Sequence, residues 1–405
     1  MRRASCLALA ALTALLTACS SGSPAQRFSP SPGGTEVEGQ GGVHIEPVLP
    51  TPSLPGSSSG ASSGPSSRPS NGSSSSQPSA ASLVVATKLT TPVGIALLPD
   101  GSALVGERTT GRIVRVQPQA GKPVPTVRTL GGLSTVGGGG LLDLAVSPDY
   151  TEDNLIYAYI TTPRDNRVVD FTLNGPVTPV VTGIPRGTSD NAGRITFGSD
   201  KDLYIATGDA GRPSLAARAS SLAGKVLRVS DIGEPARGNP TPRSPVFATG
   251  FRSSAGLCAS SSSPNVFQVE QRGSAPPEIN VVTAGGYYGW PAENTAAKRP
   301  VAQVPAADSG PGGCAVQAGR LWVTSLDGKT LVSGGLVDAT APRVGAYASV
   351  LTNRFGRLLN VVPARDGALW ITTSNRDGKG KPVADDERVI RYPPSAVGGA
   401  GGSTT

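Results

Sequence analysis

Six segments of the chain repeat one pattern of hydrophobic and polar positions. Each has a short apolar run, a turn rich in Asp, Gly or Ser, and a second apolar run, and their starts lie 45 to 62 residues apart. The runs are crowded with β-branched residues and no amphipathic helix separates them, which predicts paired β-strands. The segments are GIALLPDGSALVGE from Gly94, DLAVSPDYTEDNLIYAYI from Asp143, RITFGSDKDLYIAT from Arg194, GLCASSSSPNVFQVE from Gly256, GCAVQAGRLWVTSL from Gly313 and LLNVVPARDGALWITT from Leu358.

A strand-turn-strand repeat of this length is typical of a β-propeller. A third apolar run follows several segments, as in GRIVRV, GKVLRV and ERVIRY, so the sequence predicts an all-β, six-bladed β-propeller of four-stranded antiparallel blades at residues 82–393. An array of two-sheet sandwiches is the alternative, but six comparable units favour the propeller. Residues 82–89 (SLVVATKL) are expected to form the outer strand of the last blade and close the ring, which hides sheet edges.

The first 81 residues predict export and anchoring. MRRASCLALAALTALLTACSS has two arginines, an apolar run and a lipobox ending at Cys19, so residues 1–18 are predicted to be a lipoprotein signal peptide. Lipid on the Cys19 thiol would hold the protein at the cell membrane, with its domain on the extracytoplasmic side; an ordinary secretory signal is the alternative. Residues 19–81, rich in Ser, Gly and Pro, are predicted to be a flexible tether or a glycosylated or wall-threading stalk, and residues 394–405 a disordered tail.

Composition narrows the chemistry of the predicted propeller. The formal net charge of +8 comes from scattered charges without a basic run, which argues against nucleic-acid binding. Separately, we expect the protein to be a monomer. The one histidine, His44, lies in the predicted tether, so the predicted domain has no imidazole for acid-base chemistry or metal binding. Cys258 and Cys314 would form either one disulfide or two buried free thiols.

Longer motifs in the predicted propeller resemble one enzyme family. They are TPVGIALLPDG with ERTTGRIVRV, GGLLDLAVSPDY, GRITFGSDKDLYIATGDAGR, GKVLRV, FATGFRSSAGL, VEQRGSAPPEINVVTAGGYYGWP and NRFGRLLNVVPARDGALWITTSNRDG. The chain thereby resembles the soluble quinoprotein glucose/sorbosone dehydrogenases, six-bladed propellers that use pyrroloquinoline quinone (PQQ) and calcium, and with its lipobox and tether it looks most like the LppZ-type lipoproteins of that family. The resemblance implies oxidation of a sugar or polyol, in which a histidine takes the hydroxyl proton while hydride passes to the quinone.

The position of the family's histidine falls at Asp190, within a segment that reads Asp-Asn-Ala-Gly. The family's sugar-side carboxylate is kept as Asp209 in the TGD motif. A carboxylate is a weak base unless its pKa is raised, and Asp209 facing the same cavity would raise the pKa of Asp190. The alternative is that Asp190 is a turn residue that hydrogen-bonds local backbone.

The resemblance also implies which residues would contact PQQ. Arg252 and Arg357 match family cations, and Ser253 stands where an asparagine is expected. Asp327 stands where a lysine is expected, and Leu359 where a second arginine is expected. PQQ carries three carboxylates, so the loss of two cations and the gain of an anion predict a weakened PQQ site.

The calcium position is similarly changed. EQRGSAPPEIN keeps Glu278 as the implied metal ligand, but Pro277 replaces the neighbouring acidic residue. Calcium takes six or more oxygen ligands, so one carboxylate predicts a poor calcium site. PQQ and calcium are therefore both expected from the resemblance and both weakened by the residues present.

Two functions remain open from the sequence. One is an envelope-anchored PQQ-dependent dehydrogenase of a sugar or polyol, with Asp190 as its base. The other is a propeller without catalysis that binds a carbohydrate or protein partner through Arg252, Asp209, Asp190 and Arg357. Calcium-dependent lactone hydrolysis, as in other six-bladed propellers, is disfavoured because the sequence shows no clustered set of Asp, Asn and Glu.

Several conspicuous residues are expected to be structural. Trp290, Trp322 and Trp370 are predicted to pack within blades, and Trp290 is the one that a Gly-Trp-Pro bend could bring near the cavity. Arg194 and Arg228 lie within or after predicted strands and are expected to support them.

Overall fold

The computed structural model describes residues 80–394 except residues 274, 293 and 338–340. The predicted signal peptide, Cys19, His44, nearly all of the predicted tether and residues 395–405 lie outside the described residues. Within the described part of the chain, no helix is long and apolar enough to cross a membrane.

The described residues form 24 strands in six four-stranded antiparallel sheets, which confirms the predicted six-bladed propeller. In chain order the strands are β1 Val84–Ala86, β2 Pro92–Leu97, β3 Ala103–Glu107, β4 Arg112–Val116, β5 Thr126–Thr129, β6 Leu141–Val146, β7 Ile156–Thr161, β8 Asn166–Phe171, β9 Thr178–Ile184, β10 Gly193–Phe197, β11 Leu203–Thr207, β12 Lys225–Val229, β13 Val246–Thr249, β14 Ser254–Ala259, β15 Val266–Glu270, β16 Glu278–Val281, β17 Ala302–Gln303, β18 Pro311–Gln317, β19 Arg320–Ser325, β20 Thr330–Val337, β21 Arg343–Val350, β22 Leu358–Pro363, β23 Leu369–Thr373 and β24 Val389–Tyr392. Short helices α1 Ala80–Leu83, α2 Tyr150–Asp153 and α3 Pro213–Ala217 and two 3-10 turns, Val136–Gly138 and Ala306–Asp308, lie between strands.

Each blade is built outward from an inner strand in chain order. The inner strands β2, β6, β10, β14, β18 and β22 contact one another in sequence, and β22 also contacts β2, so the ring is closed around a central channel. The sixth blade has the order β1-β24-β23-β22, with Val84 opposite Ile390 and Ala86 opposite Val389. The predicted closing strand is therefore confirmed, although it is shorter than residues 82–89 because α1 occupies Ala80–Leu83.

The strands read as apolar runs because each blade is covered on both faces by its neighbours. Every residue of β3 and of β11 is buried, and the hydrophobic clusters join strands of adjacent blades. Glycine lets the inner strands approach: a Cβ at Gly313 would lie 1.9 Å from Asn360 Oδ1, and one at Gly94 would lie 2.7 Å from the Leu144 nitrogen. Cys258 in β14 and Cys314 in β18 form a disulfide that joins the inner strands of blades four and five.

The alternating strand directions give the propeller two distinct faces. The site face carries the loops that precede each inner strand and those that follow each second strand. The opposite face carries the loops between the first and second strands of each blade. All the residues that the sequence singled out as catalytic or as cofactor and metal contacts lie in loops of the site face or at the strand ends that adjoin them.

Candidate functional site

Three charged residues from three loops meet on the site face between blades three and four. Asp190 precedes β10, Asp209 follows β11, and Arg252 precedes β14. Arg252 Nη2 lies 3.7 Å from Asp190 Oδ2, and the Arg252 carbonyl accepts a hydrogen bond of 2.8 Å from the Asp209 backbone nitrogen. The structure thus brings together three residues that the sequence placed in one site. With Trp290, described below, they form what we call the acid-tryptophan cluster.

Asp209 is the buried member of the cluster, with only 1% of its surface exposed. Its Oδ2 accepts a hydrogen bond of 2.8 Å from Trp290 Nε1, and its Oδ1 accepts one of 2.8 Å from the Gly211 backbone nitrogen. Burial raises the pKa of Asp209, and the Asp190 carboxylate adds to the rise, while the Trp290 and Gly211 hydrogen bonds and the Arg252 charge oppose it. Asp209 is therefore a fixed acceptor whose geometry is set by two donors.

Asp190 combines the two roles that the sequence left open. Its backbone lies in the left-handed region with φ of 49°, and its carbonyl accepts a hydrogen bond of 3.1 Å from the Ala210 nitrogen, as a turn residue would. Its side chain nevertheless faces Arg252 and accepts a hydrogen bond of 3.1 Å from Ser189 Oγ. The TGD motif supports this turn, because a Cβ at Gly208 would lie 1.9 Å from the Asp190 carbonyl oxygen.

Trp290 belongs to the site, so the expectation that it packs within a blade was wrong. The segment before it runs parallel to the outer strand of blade three: the Tyr288 nitrogen bonds to the Thr249 carbonyl at 2.9 Å and the Trp290 nitrogen to the Gly250 carbonyl at 3.0 Å. The indole then reaches the site face, where Arg252 Cζ lies 5.6 Å from its ring centroid. The Gly-Trp-Pro bend was the one signal of this placement in the sequence. Trp322 and Trp370, each 1% exposed, pack within blades as predicted.

The other matched arginine, Arg357, is held by two carboxylates. Its Nη1 donates to Asp327 Oδ1 at 2.6 Å, its Nε donates to Asp377 Oδ2 at 2.9 Å, and its side chain is 6% exposed. Asp327 is the residue that stands where the family is expected to have a lysine. The structure shows that this reversed charge serves as an ion-pair partner of Arg357, an arrangement that the sequence analysis did not predict.

The implied calcium ligand, Glu278, also has an internal partner. Both of its carboxylate oxygens accept hydrogen bonds from Arg272 Nη2, while Arg272 Nη1 donates to the Tyr288 carbonyl at 3.0 Å. Both side chains are largely buried. Among the described residues, no group of three or more His, Cys, Asp or Glu side chains is arranged to hold a metal ion.

Glu270 lies directly opposite Glu278 across the β15–β16 pair and connects this region to Arg252. Its Oε1 accepts hydrogen bonds from the backbone nitrogens of Arg252 and, at 3.2 Å, Ser253. Its Oε2 is buried without a hydrogen-bond partner in the described part of the chain. Burial raises the pKa of Glu270 to about 7. Ser253 therefore takes part in the site through its backbone nitrogen, which donates to Glu270.

A pocket of about 360 Å³ lies beside these ion pairs, between blades four and five. Leu359, where a second arginine was expected, is a partly buried residue of β22, and its carbonyl accepts a hydrogen bond of 3.0 Å from Thr324 Oγ1. The pocket is lined by Gln271, Gly273, Ala275, Pro276, Pro277, Ser309, Gly310 and Asp327. Among these lining residues Asp327 is the one with a charged side chain, so the pocket presents negative charge.

Residues 89–383 match the sequence profile of the family described as glucose/sorbosone dehydrogenase. The chain belongs to the glucose/sorbosone dehydrogenase family. Its fold agrees: a PQQ-bound aldose sugar dehydrogenase from Streptomyces coelicolor is 37% identical, with a TM-score of 0.72 over 76% of this chain and 96% of that chain. The expected resemblance to PQQ-dependent sugar dehydrogenases is confirmed at the level of the family.

Two curated relatives share lower sequence identity with this chain. Quinoprotein glucose dehydrogenase B of Acinetobacter calcoaceticus is 28% identical over 51% of this chain and 52% of its own length. An aldose sugar dehydrogenase of Escherichia coli is 26% identical over 51% of this chain and 61% of its own length. The chain therefore spans about half to three fifths of the curated relatives it matches.

Proposed function

We propose that this member of the family binds a sugar or polyol at the acid-tryptophan cluster, and that its own side chains fill the positions that PQQ and calcium would require. The observation that carries the proposal is the internal pairing of the implied cofactor contacts. Arg357 is paired with Asp327 and Asp377, and Glu278 with Arg272. The propeller would then act by binding rather than by oxidation.

The residues present do not fit PQQ. A ligand with three carboxylates needs cations whose charge is not already neutralised. Arg357 is nearly buried between two carboxylates, and the adjacent pocket presents Asp327. A carboxylate of PQQ would have to displace Asp327 or Asp377 from Arg357 and would then lie close to the displaced carboxylate. The two negative charges would repel each other, and this repulsion would weaken PQQ binding.

The residues present do not fit calcium either. Calcium binding at Glu278 would require the Arg272 guanidinium to leave, because both carboxylate oxygens are already engaged by it. Removing one member of a largely buried ion pair is costly, since the remaining charge is left without a partner. We therefore derive no reaction step through either group.

The acid-tryptophan cluster has the groups that recognise a polyhydroxylated ligand. The partly exposed Asp190 carboxylate can accept hydrogen bonds from hydroxyl groups, the Arg252 guanidinium can donate to hydroxyl oxygens, and the Trp290 indole offers an apolar ring face. Asp209 is buried and positions Trp290. Asp209 and Trp290 are fixed by their mutual hydrogen bond, which reduces the ordering cost of binding. These features favour a carbohydrate over a protein partner.

The test is a pair of titrations on the purified domain, residues 80–394. Trp290 is the partly exposed tryptophan among the three, so sugar binding should change tryptophan fluorescence, and Trp290→Phe should weaken binding less than Trp290→Ala. PQQ with calcium should give no spectral shift at tens of micromolar and no dye-linked aldose oxidation. Asp327→Asn should increase PQQ uptake because it removes one of the two carboxylates that pair with Arg357, whereas the matched change Asp366→Asn, at an exposed ion pair on the opposite face, should not.

PQQ uptake by the wild-type domain, followed by aldose oxidation, would overturn the proposal. That result would favour the second candidate, a PQQ-dependent sugar dehydrogenase. Two observations favour this candidate: the 37% identity to a PQQ-bound relative, and the placement of Asp190 beside Arg252 and near Asp209, whose pKa is raised. In that case Asp190→Asn should abolish turnover without preventing sugar binding.

Anchoring at the cell envelope forms part of the proposal and rests on the lipobox at Cys19. Lipid attached to this residue would hold the protein at the membrane as a monomer, with its propeller on the extracytoplasmic side, as in the LppZ-type lipoproteins that the sequence resembles. Cys19→Ala should move the protein from the membrane fraction to the soluble fraction of producing cells, as measured by fractionation and immunoblotting. Retention of the variant in the membrane fraction would contradict lipid anchoring.

A further inference from the structure

Three arginines lie together on the site face, beside the acid-tryptophan cluster. Arg164 is in the loop that follows β7, Arg186 is in the loop that precedes β10, and Arg212 is in the loop that follows β11. Arg186 Nη1 donates to the carbonyl of Pro163, the residue before Arg164, at 2.6 Å, and Arg212 Nη2 donates to the Arg186 carbonyl at 3.1 Å. We call these three arginines the arginine cluster.

The arginine cluster has no internal counter-charge. None of its three side chains forms an ion pair with a carboxylate in the described part of the chain. The loops that carry it contain three aspartates, Asp165, Asp190 and Asp209. Asp190 and Asp209 are engaged within the acid-tryptophan cluster, and Asp165 forms an ion pair of 2.7 Å with Arg167. The arginine cluster is therefore a group of positive charges that a bound anion would neutralise.

The side chains of the arginine cluster are accessible to a ligand. Arg164 and Arg212 are exposed, and Arg186 is partly exposed. The Arg164 guanidinium makes no hydrogen bond or ion pair with another described residue. Arg212 uses Nη2 for its one side-chain hydrogen bond in the same part of the chain, which leaves Nε and Nη1 for a ligand. A guanidinium group binds carboxylates and phosphates through two parallel hydrogen bonds, so such groups match this surface.

The arginine cluster and the acid-tryptophan cluster share two loops. Arg186 lies four residues before Asp190, and Arg212 lies three residues after Asp209. The Cα atoms of these two pairs are therefore at most about 14 Å and about 11 Å apart. The two loops are joined by the hydrogen bond from the Ala210 nitrogen to the Asp190 carbonyl. A short oligosaccharide spans such distances, so one ligand can contact both clusters.

We propose that the ligand of this propeller is an acidic carbohydrate, a chain of sugar units that bears carboxylate or phosphate groups. This inference rests on the proposed sugar-binding function and adds the class of sugar. One sugar unit contacts the acid-tryptophan cluster, and acidic groups of neighbouring units bind the arginine cluster. Binding is strongest at low ionic strength, because salt screens exposed charges.

Tetragalacturonate is the carboxylate probe, and its methyl ester, which has the same sugar chain without the charges, is the matched control ligand. In calorimetric titration of the purified protein at about 50 mM salt, tetragalacturonate should bind on the order of tenfold more tightly than the ester, and the difference should disappear at about 0.5 M salt. Phosphopentamannose and neutral mannopentaose form the corresponding pair for phosphate. Tighter binding of the acidic member of either pair would support the proposal and identify the acidic group.

Variants separate the charge contact from the sugar contact. Arg164→Gln and Arg212→Gln should each weaken binding of the acidic probe about threefold and leave binding of its neutral partner unchanged. Trp290→Ala should weaken both, because it acts on the shared sugar contact. Arg365→Gln is the matched control, because Arg365 is an exposed arginine in the loop between β22 and β23 on the opposite face, and it should change neither affinity.

Three results would overturn the inference. Equal binding of the acidic and neutral members of both pairs would remove the acidic ligand but leave the proposed sugar-binding function in place. Tetraglutamate binding as tightly as tetragalacturonate would show a site for acidic peptides instead of carbohydrates. Absence of binding by all four saccharides would contradict the proposed function itself, and the inference with it.

Discussion

Removal of the Cys258–Cys314 disulfide is expected to lower the free energy of unfolding by about 4 kcal/mol. The bond closes a loop with a sequence separation of 56 residues, and in the chain-entropy description its loss frees the unfolded chain to adopt many more conformations. The two half-cystines are buried in neighbouring inner strands, β14 and β18. The measurement is urea unfolding of wild type and of the Cys258→Ala/Cys314→Ala double variant under oxidising conditions.

A reductant provides the control for this experiment. It should lower the stability of wild type to that of the double variant, apart from the small packing cost of the alanine substitutions, and should leave the double variant unchanged. Equal urea midpoints for oxidised wild type and the double variant would show that the disulfide contributes nothing to stability.

Glu270→Gln is expected to stabilise the protein at pH 8 by an amount on the order of 3 kcal/mol and to change its stability little at pH 5. Burial raises the pKa of Glu270 from its ordinary 4.5 to about 7. The folded state therefore binds the Glu270 proton more tightly than the unfolded state, and this contribution to stability is lost as the pH rises from about 4.5 to about 7. Glutamine keeps an oxygen for the Arg252 and Ser253 nitrogens and never becomes charged.

Glu107 is the matched control, because it ends the second strand of blade one as Glu270 ends that of blade four. Burial also acts on Glu107, but hydrogen bonds from Arg112, Thr90 and Thr110 lower its pKa below the ordinary value. Its contribution to stability is present at neutral pH and is lost as the pH falls, so Glu107→Gln should destabilise the protein at pH 8. The same sign of change for both variants at pH 8, in urea unfolding, would contradict the assignment.

The fold was predictable because its information is local and repeated. Both faces of each blade are covered, so the strands appear as short apolar runs, and six copies of one unit leave few alternative folds. The closing strand was predictable because the first repeat already supplies the four strands of its own blade. The strand ahead of it is therefore left over and can complete the last blade. Its length was not predictable, since the turn at Ala80–Leu83 depends on where the chain enters the ring.

The site was only partly predictable, because its contacts join loops from different blades. Asp190, Asp209 and Arg252 could be placed together because each adjoins a strand of a recognisable motif. Trp290 could not, because it lies in the long connection between β16 and β17 and reaches the site through parallel bridges to blade three. The pairing of Arg357 with Asp327 and Asp377 likewise depends on the conformations of three separate loops, which the repeating pattern of apolar residues does not encode.

The closure of the ring also determines how the propeller would respond to mechanical load. Residues that precede Ala80 enter the domain through β1, which pairs with β24 at only two positions, Val84 with Ile390 and Ala86 with Val389. A pull on the N-terminal segment would therefore act on this seam before any other blade. With the proposed lipid anchor at Cys19, shear would load this seam first and separate β1 from β24, leaving β22, β23 and β24 as a three-stranded sheet, while the contact between β22 and β2 would still join blades six and one.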